Sequence, residues 1–207
     1  MIIVFARAPV PGRVKTRLAP RLGEWGAARL HVRLVRRALA VAAASHCGPV
    51  ELHGTTRHST FRRRKGFALQ VGKDLGERMH HAVYVSLKKA ERIILIGTDC
   101  PALTPGDLRR ADRLLKGCCD AVIAPAEDGG YALIALRRSS PLLFEGIAWG
   151  GPEVYAETLR RLERLRWRWR ALRTVWDLDR PEDLPRFDRE RARGLRFSSG
   201  SRRAARR

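Results

Sequence analysis

The sequence predicts an α/β fold of three layers, a mainly parallel sheet with helices on both faces. Three observations point to it. Short continuous apolar runs recur along the chain, as strands buried on both faces require. Between them, apolar residues return at helical spacing. The two patterns alternate, which is the β-α-β signature of parallel strands joined by crossover helices.

Ile2 to Ala6 is apolar throughout and runs into a loop holding Pro9, Pro11 and Gly12, so it reads as the first buried strand. From Glu24 to Ser45, Ala27, Leu30, Leu34, Ala38 and Val41 share one helical face, with Arg29, Arg33, Arg36 and Arg37 between them. Val50 to Thr55 and Phe67 to Val71 are the next strands, and Leu75, Met79, Val83 and Leu87 mark a helix. Arg92 to Gly97, with IILI at its centre, is the clearest buried strand. Thr104, Pro105 and Asp107 then supply an N-cap, a first-turn proline and the carboxylate of a capping box, ahead of Leu108, Ala111, Leu114 and Leu115. Ala121 to Ala124 and Tyr131 to Leu136 are strands on either side of Glu127-Asp-Gly-Gly130. Pro152 opens a helix faced by Val154, Thr158, Leu162 and Leu165, Ala171 to Trp176 is the last strand, and Asp179 to Phe187 is a short closing helix. Trp167 and Trp169 alternate with arginines, which puts both rings on one face of an extended segment.

At 207 residues, 44% hydrophobic and 30% charged, the chain has the balance of one globular domain with a full core. We place that domain at residues 1–187 and read 188–207 as a basic tail. Residues 189–207 hold eight arginines against one acid and no apolar stripe, the composition of a disordered, solvated extension. Net charge is +21, but only six of the 42 basic residues are lysines. Such charge gives non-specific attraction to nucleic acid and other polyanions; its spread over helices and tail assigns no specific nucleic-acid role. No apolar run approaches the ~20 residues of a membrane span, and the N-terminus lacks a basic region and a cleavage site, so cytoplasm is the expected location. The four cysteines have no C-x-x-C spacing and read as buried thiols of a reducing compartment.

In open parallel sheets ligands bind beyond the carboxyl ends of the strands. That rule selects three loops. Arg7 to Arg17 follows the first strand; if extended, it aims Arg13, Lys15 and Arg17 together, a set of cations that suits a diphosphate. The same residues also fit a solvated basic loop. Thr98 to Thr104 places Asp99 just past a strand of aliphatics, where a hard carboxylate suits Mg²⁺ or Mn²⁺ bridged to a diphosphate; an Asx turn fits equally. In Pro125 to Gly130, Glu127 or Asp128 is positioned to take a proton from a hydroxyl, and Gly129 and Gly130 allow a ligand to approach backbone; an Asp-Gly hairpin turn is the alternative. Asp74 and Gly76 stand at a loop-to-helix junction, facing a ligand or serving as a plain helix cap. Asp177 and Asp179, two alternate carboxylates after the last strand, are further metal ligands or caps of the closing helix.

In order, PVPGRVKTRL, KDLGERM, LIGTDCP, PAEDGGYALIAL and DLDRPEDL resemble a bacterial glycosyltransferase-A-like family, the arsenosugar-biosynthesis-type glycosyltransferases of the nucleotide-diphospho-sugar transferase superfamily. The resemblance runs from about Ile2 to about Phe187. It implies that fold, a nucleotide-sugar donor, a small-molecule acceptor, Lys15 and Arg17 at the nucleotide phosphates, and Asp99 at the position of the fold's metal-binding aspartate. A nucleotidyltransferase on the same fold, releasing pyrophosphate from a nucleoside triphosphate, is the nearest alternative; a non-catalytic polyanion-binding protein is a distant one. The sequence reads Trp149-Gly-Gly-Pro152 where many members of the family it resembles carry hydroxyl side chains between the Trp and the Pro.

Overall fold

The computed structural model describes residues 1–61 and 65–190. Seven strands form one sheet: β1 (Ile2–Ala6), β2 (Val50–Gly54), β3 (Phe67–Leu69), β4 (Ile93–Ile96), β5 (Ala121–Pro125), β6 (Tyr131–Leu136) and β7 (Trp169–Ala171). Their order is β3-β2-β1-β4-β6-β5-β7. β1 runs parallel to β2 and β4, β2 to β3, and β5 to β7; only β6 is antiparallel to its neighbours. The reason is local. Residues 126–130 are too few for a crossover, so β5 and β6 close as a hairpin.

Alternate residues of β1 feed opposite faces. Ile2, Val4 and Ala6 meet Val35 and Ala42 of α1 (Ala19–Ser45) and Leu108, Ala111 and Leu115 of α3 (Pro105–Lys116). Ile3 and Phe5 meet Met79, Ala82 and Val83 of α2 (Leu75–Leu87), in the cluster that also holds Leu162 of α4 (Val154–Arg164). This is the three-layer arrangement that the apolar runs predict. A third cluster joins Leu18, Leu30 and Leu34 to Trp176, Leu178 and Phe187, docking the closing segment on α1.

Several boundaries move. The helical run from Glu24 to Ser45 forms as read; α1 gains a preceding turn from Ala19, where Pro20 suits a first-turn position, set off by Gly23, whose φ is +69°. The capping box of α3 forms as read: Thr104 Oγ1 accepts from the Asp107 amide and Asp107 accepts from the Thr104 amide. The last strand starts earlier, at Trp169, since the alternating Trp-Arg segment is what pairs with β5; Trp167 is buried and Trp169 half-buried in the α2/α4 cluster. Beyond Ala171 the chain keeps only an isolated bridge, Val175 to Ala126. The closing helix is a 3-10 turn (Pro181–Asp183) followed by α5 (184–190). Trp176 Nε1 donates to Glu190 Oε1 at 2.9 Å, so contact with the domain extends as far as Glu190, past the expected start of the tail at residue 188. The remainder of the predicted tail, 191–207, lies outside the described residues. All four thiols are free, but only Cys119 is buried; Cys47 and Cys100 are half-buried and Cys118 is exposed. No described helix is long and apolar enough to cross a membrane.

Candidate active site

Strand order reverses between β1 and β4, and a cavity of about 660 Å³ opens beyond their carboxyl ends. Its walls come from the three predicted loops, the segment after β7 and the start of α2.

The first loop is not extended. It turns at Val10 and Arg13, and Lys15 adopts a left-handed conformation (φ 49°) before a 3-10 turn at Thr16–Leu18. The strict alternation of cations is thereby broken. Lys15 is buried, its side chain only 4% exposed, whereas Arg17 stays exposed at 64%; Arg7, Arg13, Lys15 and Arg17 all line the cavity.

Lys15 is the junction of the site. Its Nζ lies 2.7 Å from Asp99 Oδ1 and 3.9 Å from Asp179 Oδ1, and donates to the Leu178 carbonyl at 2.6 Å. Arg17 pairs with the other oxygen of Asp179. Backbone reinforces this convergence, since the Leu178 amide donates to the Asp99 carbonyl at 2.8 Å. The loop after β4 and the segment after β7 are thus tied side by side. Arg37 of α1 holds the same β4 loop through the Pro101 carbonyl.

Asp177 and Asp128 complete the acidic wall. Burial, and then the negative charge of Asp128 and Asp179, pushes the Asp177 carboxyl up to about 6. Burial and the charges of Asp99, Asp177 and Asp128 push the Cys100 thiol well above its ordinary value. Asp128 Oδ1 accepts from the Gly130 amide in an Asx turn.

Other predicted residues are placed elsewhere. Glu127 turns away from the cavity to pair with Arg186, because its amide is bound to the Val175 carbonyl. Asp74 caps α2, accepting from the Glu77 amide. Gly76 is pressed against neighbours and does not line this cavity: a Cβ there would lie 2.3 Å from the Phe144 carbonyl oxygen and 2.7 Å from Trp149 Nε1. Gly129 likewise (φ +87°) is pressed against Pro152, at 2.0 Å for a Cβ, while Gly130 does line the cavity. The Asp99, Asp177 and Asp179 carboxylates do not form a ready-made cage; among the described residues no three acidic, imidazole or thiol groups are grouped to hold a metal. Asp179 is already engaged by two cations.

Sequence reasoning missed His31, and it marked Trp149 only as the start of the Trp-Gly-Gly-Pro departure. His31 interrupts the apolar face of α1, the one signal that marked it; its Nε2 lies 3.0 Å from the Arg7 carbonyl oxygen, and burial pushes its imidazole pKa down. Trp149 packs edge-on to Tyr131, with centroids 6.4 Å apart.

With a cavity of cations and carboxylates at the switch point of its sheet, the chain belongs to a family of nucleotide-diphospho-sugar transferase-like proteins. The chain belongs to the DUF2064 family, described as "Uncharacterized protein conserved in bacteria", whose model matches residues 31–151. It is similar to a proposed nucleotide-diphospho-sugar transferase from Desulfovibrio desulfuricans G20, at 33% identity over 86% of this chain and 81% of that one, with a TM-score of 0.80. Two more distant structures share the fold. One is CMP:2-keto-3-deoxy-manno-octonic acid synthetase complexed with CTP, at 14% identity over 94% of this chain and 98% of that one, TM-score 0.59. The other is Rv0371c of Mycobacterium tuberculosis H37Rv in complex with manganese, at 19% identity over 89% of this chain and 96% of that one, TM-score 0.52. No curated protein matches the sequence.

Proposed function

We propose that the protein transfers a glycosyl group from a nucleotide sugar to a small-molecule acceptor, with a divalent cation. The observation that carries this reading is Lys15 Nζ held within 4 Å of both Asp99 and Asp179, at the meeting point of a basic loop and an acidic wall. Such a junction suits a diphosphate, which needs cations on one side and a metal on the other.

The donor set fits Mg²⁺ or Mn²⁺. All the available ligands are hard oxygens. Asp177, pushed up to about 6 beside Asp128, carries crowded negative charge that a cation would relieve. Asp99 and Asp177 would hold the ion, with phosphate oxygens and water completing the shell, as Mg²⁺ prefers; Asp179 remains with Arg17 and Lys15. When bound, the ion supplies neutralisation of charge on the leaving diphosphate. Arg13, Lys15 and Arg17 orient the phosphates and share that neutralisation. Asp128, fixed by its Asx turn, orients the acceptor hydroxyl and accepts its proton.

Nucleotidyl transfer on the same fold is the second reading. It is favoured by Arg7 and Arg13, which line the cavity with no carboxylate partner among the described residues and would serve a third phosphate.

Thermal unfolding with nucleotides tests the binding step. Nucleoside diphosphate plus Mg²⁺ or Mn²⁺ at a hundredfold excess over Kd should stabilise the fold by about 2.7 kcal/mol, and nucleoside alone should not. Equal stabilisation by both would rule out a phosphate site.

A further inference from the structure

We propose that the second substrate carries an acid group, a carboxylate or a phosphate, and that Arg78 receives it at the α2 end of the cavity. The inference rests on the transferase reading of this cavity and names the class of its second substrate.

Arg78 lies in the second turn of α2 and lines the cavity. Its Nε donates to the Gly72 carbonyl at 2.9 Å, which fixes the guanidinium plane. No carboxylate pairs with it among the described residues, although Asp128 and Asp177 line the same cavity. Arg7 and Arg13 share this lack of a carboxylate partner, but they stand on the first loop with Lys15 and Arg17, which Asp99 and Asp179 already match. Beside Arg78 the wall is apolar and aromatic: Leu75, Met79, Tyr131 and Trp149. A half-buried guanidinium against such a wall lacks a counterion, and its terminal nitrogens match the two oxygens of a carboxylate or phosphate.

Position separates this cation from the diphosphate. Lys15 belongs to the α1 side of the sheet, where Leu18, Leu30 and Leu178 pack together. Arg78 belongs to the α2 side, next to Met79, which packs on the opposite face of β1 and β4. The cavity crosses the ends of both strands, with cations on each side. One group per substrate is the simplest use of that arrangement. The aromatic edge of Tyr131 and Trp149 then meets the uncharged body of the same molecule.

The test uses the full chain with Mg²⁺ and a saturating nucleoside diphosphate, so that the Lys15 end is filled. Glucose, glucose 6-phosphate and glucuronate share one body and differ in the acid group. Calorimetry should show one or both acidic sugars binding at least about tenfold more tightly than glucose, roughly 1.4 kcal/mol, and the stronger of the two identifies the acid. Arg78→Gln should bring acid and neutral sugars within about twofold of each other. Arg78→Lys, which keeps the charge without the fork, should fall between, and it carries the test if Arg78→Gln fails to fold. Equal binding of all three sugars to the native protein, or a preference that survives in both variants, would overturn the proposal. A preference that depends on Arg78 while no nucleoside diphosphate binds would leave the anion site standing and sink the transferase reading.

Discussion

Lys15 Nζ and Asp99 Oδ1 lie 2.7 Å apart, yet the lysine is nearly buried and the aspartate side chain is 56% exposed. The pair is therefore unequal. Without Lys15, Asp99 can be hydrated; without Asp99, the Lys15 ammonium keeps only the Leu178 carbonyl and a longer contact to Asp179.

Asp99→Ala should accordingly lower stability by roughly 1–3 kcal/mol, the cost of an under-satisfied buried charge. Lys15→Met, which preserves the aliphatic stem, should lower it less. Thermal denaturation of the two variants side by side gives the order, and a more stable Asp99→Ala protein would contradict this asymmetry. Both should lose metal-dependent nucleoside-diphosphate binding.

Asp177 makes that binding depend on pH. With its carboxyl pushed up to about 6 by burial and by Asp128, it is protonated below that pH and must lose the proton to hold a cation. Divalent-ion affinity should rise with pH up to about 6 and then level off. The raised pKa also means that its ionisation opposes folding: its contribution is most favourable below the ordinary aspartate range and is lost as pH climbs to about 6. Asp128→Asn should move the inflection down, because the neighbouring charge is removed. Titration calorimetry across pH 4.5–8 checks both; an inflection unmoved in Asp128→Asn and still present in Asp177→Asn would assign it to another group.

Gly76 and Gly129 serve packing, so alanine at either should cost stability before it costs affinity. The contacts at 2.3 and 2.0 Å are with backbone oxygens, which cannot swing aside. A loss of about 1–3 kcal/mol is expected at each, as for overpacking of a core. Chemical denaturation measures it; unchanged stability with lost nucleotide binding would restore the ligand-facing role.

The domain boundary can be tested at the Trp176–Glu190 hydrogen bond. A chain ending at Glu190 should be more stable than one ending at Asp188 by about 1 kcal/mol, since the shorter one leaves the buried indole N–H without its acceptor. Equal melting temperatures would mean that water replaces Glu190 at no cost.

Local signals read well in this sequence. Thr104, Pro105 and Asp107 specify their own cap within one helical turn, and the aliphatic runs of β1 and β4 specify strands by composition alone. The three loops that line the cavity also follow, because the carboxyl ends of parallel strands locate them. Tertiary partners do not follow. Lys15 meets Asp99 and Asp179 across more than 80 intervening residues, and no local pattern encodes that meeting. Glu127 and Asp128 are adjacent and chemically equivalent in sequence; only the distant Arg186 and the pairing with Val175 divert Glu127. Glycine is ambiguous for the same reason, since room for a ligand and room for Pro152 select the same residue at position 129.

The leaving group separates glycosyl transfer from nucleotidyl transfer. The protein is incubated with Mg²⁺ or Mn²⁺ and nucleotide sugars plus candidate acceptors, and separately with nucleoside triphosphates plus sugar phosphates, and the released products are identified. Glycosyl transfer predicts nucleoside diphosphate from a sugar nucleotide, lost in Lys15→Met and Asp99→Ala. Metal-dependent pyrophosphate from a triphosphate, lost in the same two variants and with no nucleoside diphosphate from any sugar nucleotide, would contradict it.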